Sequence, residues 1–162
     1  MQWIRTHGNP PPDLDFVTDN LAVGGAFGSI RQVAALPALG ITAVVSLSSE
    51  SNADVAELKR LGISFLFLPT PDYHPPKMED METGAKWVTE QLAGDGKVLI
   101  HCQRGMGRSV ILAAAVLLKM GYDWQKALDL IKSKRYGVSP LHRQIAVLRQ
   151  FALMQEEKKT LS

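Results

Sequence analysis

The segment His101-Cys102-Gln103-Arg104-Gly105-Met106-Gly107-Arg108-Ser109 places a nucleophile, a permanent cation and two glycines within nine residues. Arg108 stands six positions after Cys102. If the intervening chain curls, Arg108 closes a loop over the sulfur and offers its planar fork to two oxygens of one phosphate, which a lysine cannot do. Gly105 and Gly107 let the backbone curl and approach a ligand closely. A tight loop entering a helix also turns the N–H groups of Gln103, Arg104, Gly105, Met106, Gly107 and Arg108 toward one point, beside the positive end of the helix dipole, and so forms an oxyanion site. The same field lowers a cysteine pKa below its usual value of about 8.5, so Cys102 is expected to be a thiolate at neutral pH. Beneath a cradled phosphorus atom it would attack in line, with the loop donors holding the equatorial oxygens of the transition state. Ser109 is placed to donate a hydrogen bond to the sulfur when it becomes the leaving group. The chemistry is transfer of a phosphoryl group to Cys102, then hydrolysis of the phosphocysteine.

A cysteine and an arginine at this spacing are weak evidence alone, because a lone free cysteine commonly fills a core as an inert small hydrophobe. The flanking elements change that. Lys97 to His101 reads as a short buried strand running straight into Cys102, and the apolar stretch to Lys119 reads as a helix. Strand, glycine loop and helix are the setting that an anion-binding turn requires.

The rest of the chain supplies a framework to position it. Residues 1–12 form a polar, proline-rich arm, and the folded unit is expected over 13–157, with a polar tail at 158–162. Leu14 to Val17 and Leu21 to Val23, split by Thr18-Asp19-Asn20, predict a hairpin-like pair of strands. Ser29 to Leu39 predicts a helix, Ile41 to Leu47 a strand buried on both faces, and Ser51 to Leu61 a helix capped by Asn52. Ile63 to Leu68 predicts a second buried strand. Pro69 to Pro76 holds four prolines in eight residues and is loop. Helices follow over about Lys77 to Leu92, Asp123 to Lys134 and Ser139 to Gln155. Alternating strands and helices imply an α/β fold, a largely parallel central sheet flanked by helices on both faces. Ligands in such folds lie beyond the carboxyl ends of the strands, which selects Ser48 to Ser51, Pro69 to Pro76 and Cys102 to Ser109.

Loss of an alkoxide or phenoxide from phosphorus needs a proton donor facing the sulfur. Asp72, in Thr70-Pro71-Asp72-Tyr73-His74-Pro75-Pro76, lies at a strand's carboxyl end on a proline-stiffened loop and is the best candidate. Asp80 and Glu79 are rivals, but both belong to the first turn of the next helix, where acidic residues are expected. His101 points away from the nucleophile's side of the strand and reads as structural. Glu50, at the end of a strand on the same edge, could support Arg108 or a water.

With these residues in view, the chain resembles the cysteine-based protein tyrosine phosphatases, whose signature of His-Cys, five residues, Arg and Ser or Thr it carries at 101–109. Within that superfamily it is similar to the short atypical dual-specificity phosphatases over about Pro12 to Phe151, and Pro71-Asp72-Tyr73 resembles their acid loop. The resemblance implies that phosphorylated proteins or peptides are the substrates, that phosphate or another oxyanion occupies the loop, and that no cofactor or metal is used. One departure follows the penultimate helix: Arg135-Tyr136-Gly137 and Gln144 fit, but Pro140 and Leu141 replace a Glu-Thr pair. Gln144 is thus a weak candidate for orienting the hydrolytic water.

Composition bounds the alternatives. A net charge of +2 on 162 residues is too small for a nucleic-acid interface. The single cysteine excludes an intrachain disulfide and a cysteine-rich metal site, and fits a reducing, cytoplasmic setting. The apolar run Val110 to Leu118 is half a membrane span. Two other functions compete: a phosphoprotein-binding module of the same fold, and a phosphatase for phosphoinositides or other small molecules. Gln103 and Met106 disfavour phosphoinositides, because the resemblance implies basic residues at those loop positions in the inositol-lipid phosphatases of the superfamily. A dinucleotide site at Val23-Gly24-Gly25-Ala26-Phe27-Gly28 has the wrong glycine spacing.

Overall fold

The computed structural model describes residues 10–49 and 54–161. Asn52 and Glu50, proposed above as a helix cap and a supporting carboxylate, lie outside the described residues. Five strands form one sheet: β1 (Leu14–Phe16), β2 (Leu21–Gly24), β3 (Ala43–Ser48), β4 (Ser64–Thr70) and β5 (Val98–His101). Their order is β1-β2-β5-β3-β4, with β1 antiparallel to β2 and all other pairs parallel. The helices are α1 (Ile30–Ala34), α2 (Val55–Arg60), α3 (Met78–Ala93), α4 (Arg108–Lys119), α5 (Trp124–Lys134) and α6 (His142–Leu161).

Side-chain alternation explains why both faces are covered. Leu21, Val23, Ala43, Val45, Leu47, Val98 and Ile100 join the larger core under α3, α4, α5 and α6. Their neighbours Ala22, Val44 and Leu99 point to the opposite face, against Val33, Leu36 and Leu58 of the α1–α2 side. Successive strand residues face opposite ways, so near-continuous apolar strands need two cores. Helix α4 is buried at every position from Arg108 to Leu118, and it is the central helix around which the larger core is built.

Several expected elements take a different form. The helix predicted over 29–39 divides into α1 and a 3₁₀ turn at Pro37–Leu39, because Pro37 supplies no N–H to continue the ladder. Strand β4 runs on through Pro69 to Thr70, and it is an edge strand with several exposed side chains rather than a fully buried one. Ser46 pairs with Phe67 but Ser48 with Thr70, so β4 carries one extra residue there. A bulge on an edge strand tolerates a proline. Helix α6 begins at His142 rather than Ser139, since Pro140 restricts the residue before it, and it continues to Leu161 through most of the expected tail. Asp123 caps α5, its carboxylate accepting from the Lys126 N–H at 2.8 Å. Among the described residues no helix is long and apolar enough to cross a membrane.

Candidate active site

Strand β5 is central, paired to β2 and β3 with His101 level with Gly24 and Ser46. Cys102 therefore leaves the sheet at its middle, and its N–H continues the ladder to the Gly24 carbonyl at 3.2 Å. The chain then curls through Gly105, whose φ of 70° disfavours other residues. A Cβ at Gly105 would lie 2.5 Å from both the Gly24 backbone and the Arg135 guanidinium.

Arg135 fixes the loop from behind. This buried side chain donates from Nε to the Gly105 carbonyl at 2.8 Å and from Nη2 to the Arg104 carbonyl at 2.9 Å. Because each peptide unit is planar and trans, directing those two carbonyls at Arg135 turns the N–H groups of Gly105 and Met106 the other way. The Gly105 N–H reaches Cys102 Sγ at 3.3 Å, and Ser109 Oγ lies 3.1 Å from the same sulfur. Asp13 and Asp15 meet the charge of Arg135 at 3.1 and 3.0 Å. The 24–26 backbone backs the same loop: Ala26 N–H donates to the Gln103 carbonyl, while Gly25 N–H donates to the Asp13 carbonyl, each at 2.9 Å. A Cβ at Gly24 would lie 2.4 Å from the Asp13 carbonyl oxygen, so that glycine allows two chain segments to approach closely.

Arg108 opens α4, buried, with Nη1 donating to the Thr70 carbonyl at 2.8 Å and Nη2 3.5 Å from Asp72 Oδ1. The end of β4 therefore aims the guanidinium and also brings Asp72 to it. Pro71 to His74 make a turn closed by the His74 N–H to the Pro71 carbonyl at 3.1 Å. Tyr73 takes a φ of 66° in that turn and donates its N–H to Asp72 Oδ1 at 2.9 Å. The resulting cavity of about 150 Å³ has Cys102, Arg108, Gly107 and Asp72 in its wall, with Arg104, Met106, Tyr73, Ser139, Leu141 and Gln144 around them. A larger cavity of about 510 Å³ lies at the other end of α4, near Leu118 and Trp124, away from Cys102.

The structure thus gathers Cys102, Ser109, Arg108 and Asp72 as the sequence suggested. Gln103 and Gly105 are in the loop but do not line the cavity, Gly105 using its N–H on the sulfur. Cys102 is only 2 % exposed, so its thiol is recessed at the pocket floor. Glu79 and Asp80 lie in the first turn of α3 and do not line the cavity. His101 packs its ring 4.8 Å from that of Phe27, and its Nδ1 is buried without a partner. Burial pushes its pKa down to about 4, only partly opposed by the backbone of Gly25 and Cys102. Gln144 accepts the Leu141 N–H at Oε1 (2.8 Å) and donates to the His74 carbonyl from Nε2 (3.2 Å), so both ends of its amide already hold backbone. The roles of Arg135, Asp13, Asp15, Thr70 and Arg143 were missed. For Arg135 the signal was its place after α5; the others carry none.

A thiol delivered by the central parallel strand into an arginine-closed loop at a helix start defines a cysteine-based phosphatase domain. The chain belongs to the family described as PTP-SAK, Swiss Army Knife protein, DSP-PTPase phosphatase domain, which it matches over residues 17–159. It is 31% identical over 100 residues to protein tyrosine phosphatase type IVA 3 of Bos taurus, covering 60% of this chain and 57% of that protein. It is 29% identical over 150 residues to dual specificity protein phosphatase 4 of Gallus gallus, covering 91% of this chain and 38% of the relative. The chain thus spans less than two thirds of the length of either curated relative. Among solved structures, Tk-PTP in its active form is similar with a TM-score of 0.79 and 28% identity, covering 87% of this chain and 97% of the other. PTPMT1 shares the fold, with a TM-score of 0.83 and 20% identity over 92% and 99% of the two chains.

Proposed function

We propose that the protein hydrolyses phosphate monoesters through a phosphocysteine on Cys102, as a dual-specificity protein phosphatase acting on phosphotyrosine and on phosphoserine or phosphothreonine. The observation that carries this reading is the convergence on one recessed sulfur of the Gly105 N–H, Ser109 Oγ and the wall formed by Arg108 and Asp72. The phosphate would lie above Cys102 with Arg108 on its oxygens and the loop N–H groups around it. Asp72 would protonate the departing oxygen, then take a proton from the attacking water as the phosphocysteine is hydrolysed. Ser109 would stabilise the sulfur as it leaves. The short pocket, rimmed by Tyr73, Met106 and Leu141, suits a side-chain phosphate presented on an extended peptide. A chemistry that needs reduced Cys102 fits a reducing, cytoplasmic setting.

A phosphoinositide reading is favoured by one observation: a similar fold, PTPMT1, was solved in complex with PI(5)P. Here, among the described residues, Arg104 is the only cation other than Arg108 lining the cavity. Steady-state kinetics on para-nitrophenyl phosphate, phosphotyrosine, phosphoserine and phosphothreonine peptides, and phosphoinositides tests the assignment. Turnover of the peptides with kcat/KM above that for the lipids is expected. A reversed order replaces the protein-phosphatase reading with the lipid one, and binding without turnover replaces both with a phosphate-binding module.

A further inference from the structure

The first turn of α6 reaches across to the acid turn with two adjacent side chains. Arg143 donates from Nε to the Tyr73 carbonyl at 2.6 Å, and Gln144 donates from Nε2 to the His74 carbonyl at 3.2 Å. These are the two residues that follow Asp72. The turn they hold needs support, since Tyr73 adopts a left-handed φ of 66° that a bulky side chain rarely takes. Gln144 touches the other loop as well: a Cβ on Gly107 would lie 2.8 Å from its Oε1 and 3.1 Å from its Nε2. The buried amide of Gln144 is therefore laid against the phosphate loop on one side and the acid turn on the other. Arg143 is exposed, does not line the cavity, and donates its hydrogen bond to the turn backbone.

We propose that Arg143 and Gln144 are positioning residues that clasp the turn 71–74 to α6 and so hold Asp72 at the proton-donating position beside Arg108. The inference rests on the reading of Asp72 as the general acid. A clasp of this kind does nothing for phosphate binding or for attack by the sulfur. It fixes the fraction of time the acid is in place, so its loss should be felt in proportion to how much the leaving group needs a proton.

Arg143 is the side chain to remove, because it is exposed and its loss leaves the core intact. With the full chain, Arg143→Met should lower kcat on a phosphoserine peptide, whose alkoxide is a poor leaving group, by about tenfold. On para-nitrophenyl phosphate the change should stay within about twofold, with KM and inhibition by inorganic phosphate unaltered. Arg143→Lys should recover part of the loss, as a donor near the same carbonyl is restored. In an Asp72→Asn background, Arg143→Met should cause no further loss, since the interaction it acts through is already gone. An equal loss on both substrates, a rise in KM that marks direct substrate contact, or an undiminished effect in the Asp72→Asn background would overturn the clasp. The two failures separate cleanly. If Asp72→Asn loses activity selectively on the phosphoserine peptide while Arg143→Met does not, the clasp alone is wrong. If Asp72→Asn shows no such selectivity, the acid assignment falls and the clasp falls with it.

Discussion

The phosphate loop at 102–108 is held from behind and beneath, whereas the acid turn at 71–74 is held mainly from its flank. Behind the first lie the buried guanidinium of Arg135 and the 24–26 backbone, and beneath it α4, buried from Arg108 to Leu118. The second is exposed over Pro71 to His74, and it is held by one turn hydrogen bond, the contacts of Asp72 with Tyr73 and Arg108, and the two side chains of α6. The difference matches the two tasks. An oxyanion site gains most from donors that do not reorganise during reaction. A proton donor must admit the substrate first, so a contact stabilised by a few exposed hydrogen bonds is better suited to it.

Changes at the phosphate loop that remove a reacting group should therefore be the most damaging and the least dependent on substrate. Cys102→Ser should abolish turnover on every monoester, by at least about a thousandfold, while tungstate or phosphate binding and the melting temperature are retained. Arg108→Lys should come close to it, because a point charge cannot span two phosphate oxygens or keep the bond to Thr70. Residual activity within tenfold of wild type in either variant would break the comparison at its stronger side.

Loss of the acid should be graded instead. Asp72→Asn should cost about a hundredfold to ten-thousandfold on alkyl phosphates, and progressively less as the leaving group improves across a series of aryl phosphates. An unchanged leaving-group slope would reduce Asp72 to a turn residue and shift attention to Asp80 and Glu79.

Next comes the brace. Arg135→Met leaves the Arg104 and Gly105 carbonyls without donors, while Asp13 and Asp15, both well exposed, regain water. Denaturant unfolding should show a loss of about 3 kcal/mol. Inorganic phosphate affinity should fall as well, because the carbonyls are then free to turn. Destabilisation with unaltered phosphate affinity would show that Arg135 supports the fold without shaping the loop.

The effect that is smallest at neutral pH is confined to acid. His101 is buried neutral, with its pKa pushed down to about 4 from 6.5. Below 6.5 the unfolded chain takes up a proton that the folded chain refuses until about 4, so stability is complete above that window and declines as pH falls through it. The full loss would be about 3 kcal/mol near pH 4 and only a fraction of that at pH 6. Comparing the pH dependence of unfolding in wild type and His101→Gln isolates it, and identical slopes would remove His101 from the account of loop stability.

What was legible in the chain is what neighbours in sequence decide. The cysteine, the glycines, Arg108 and Ser109 are neighbours in the chain, and their spacing with the flanking strand and helix is enough to propose a phosphate cradle. The apolar strands likewise announced a sheet covered on both faces, because alternation is a property of adjacent residues. Even Asp72 was accessible, through the prolines around it. Other features depended on which strand became the edge: the four prolines of 69–76 mark the segment as loop, yet β4 keeps Pro69 because it lies on the edge of the sheet. The side chains that hold the site lie far apart in sequence, with Arg135 and Asp13 separated by 122 positions and Arg143 and Tyr73 by 70. No local spacing encodes such pairs, because a surface arginine and a buried brace have the same neighbours in the chain. Packing α5 and α6 against α4 decided that Arg135 would turn two carbonyls away from the loop's interior and that Arg143 would meet the 71–74 turn.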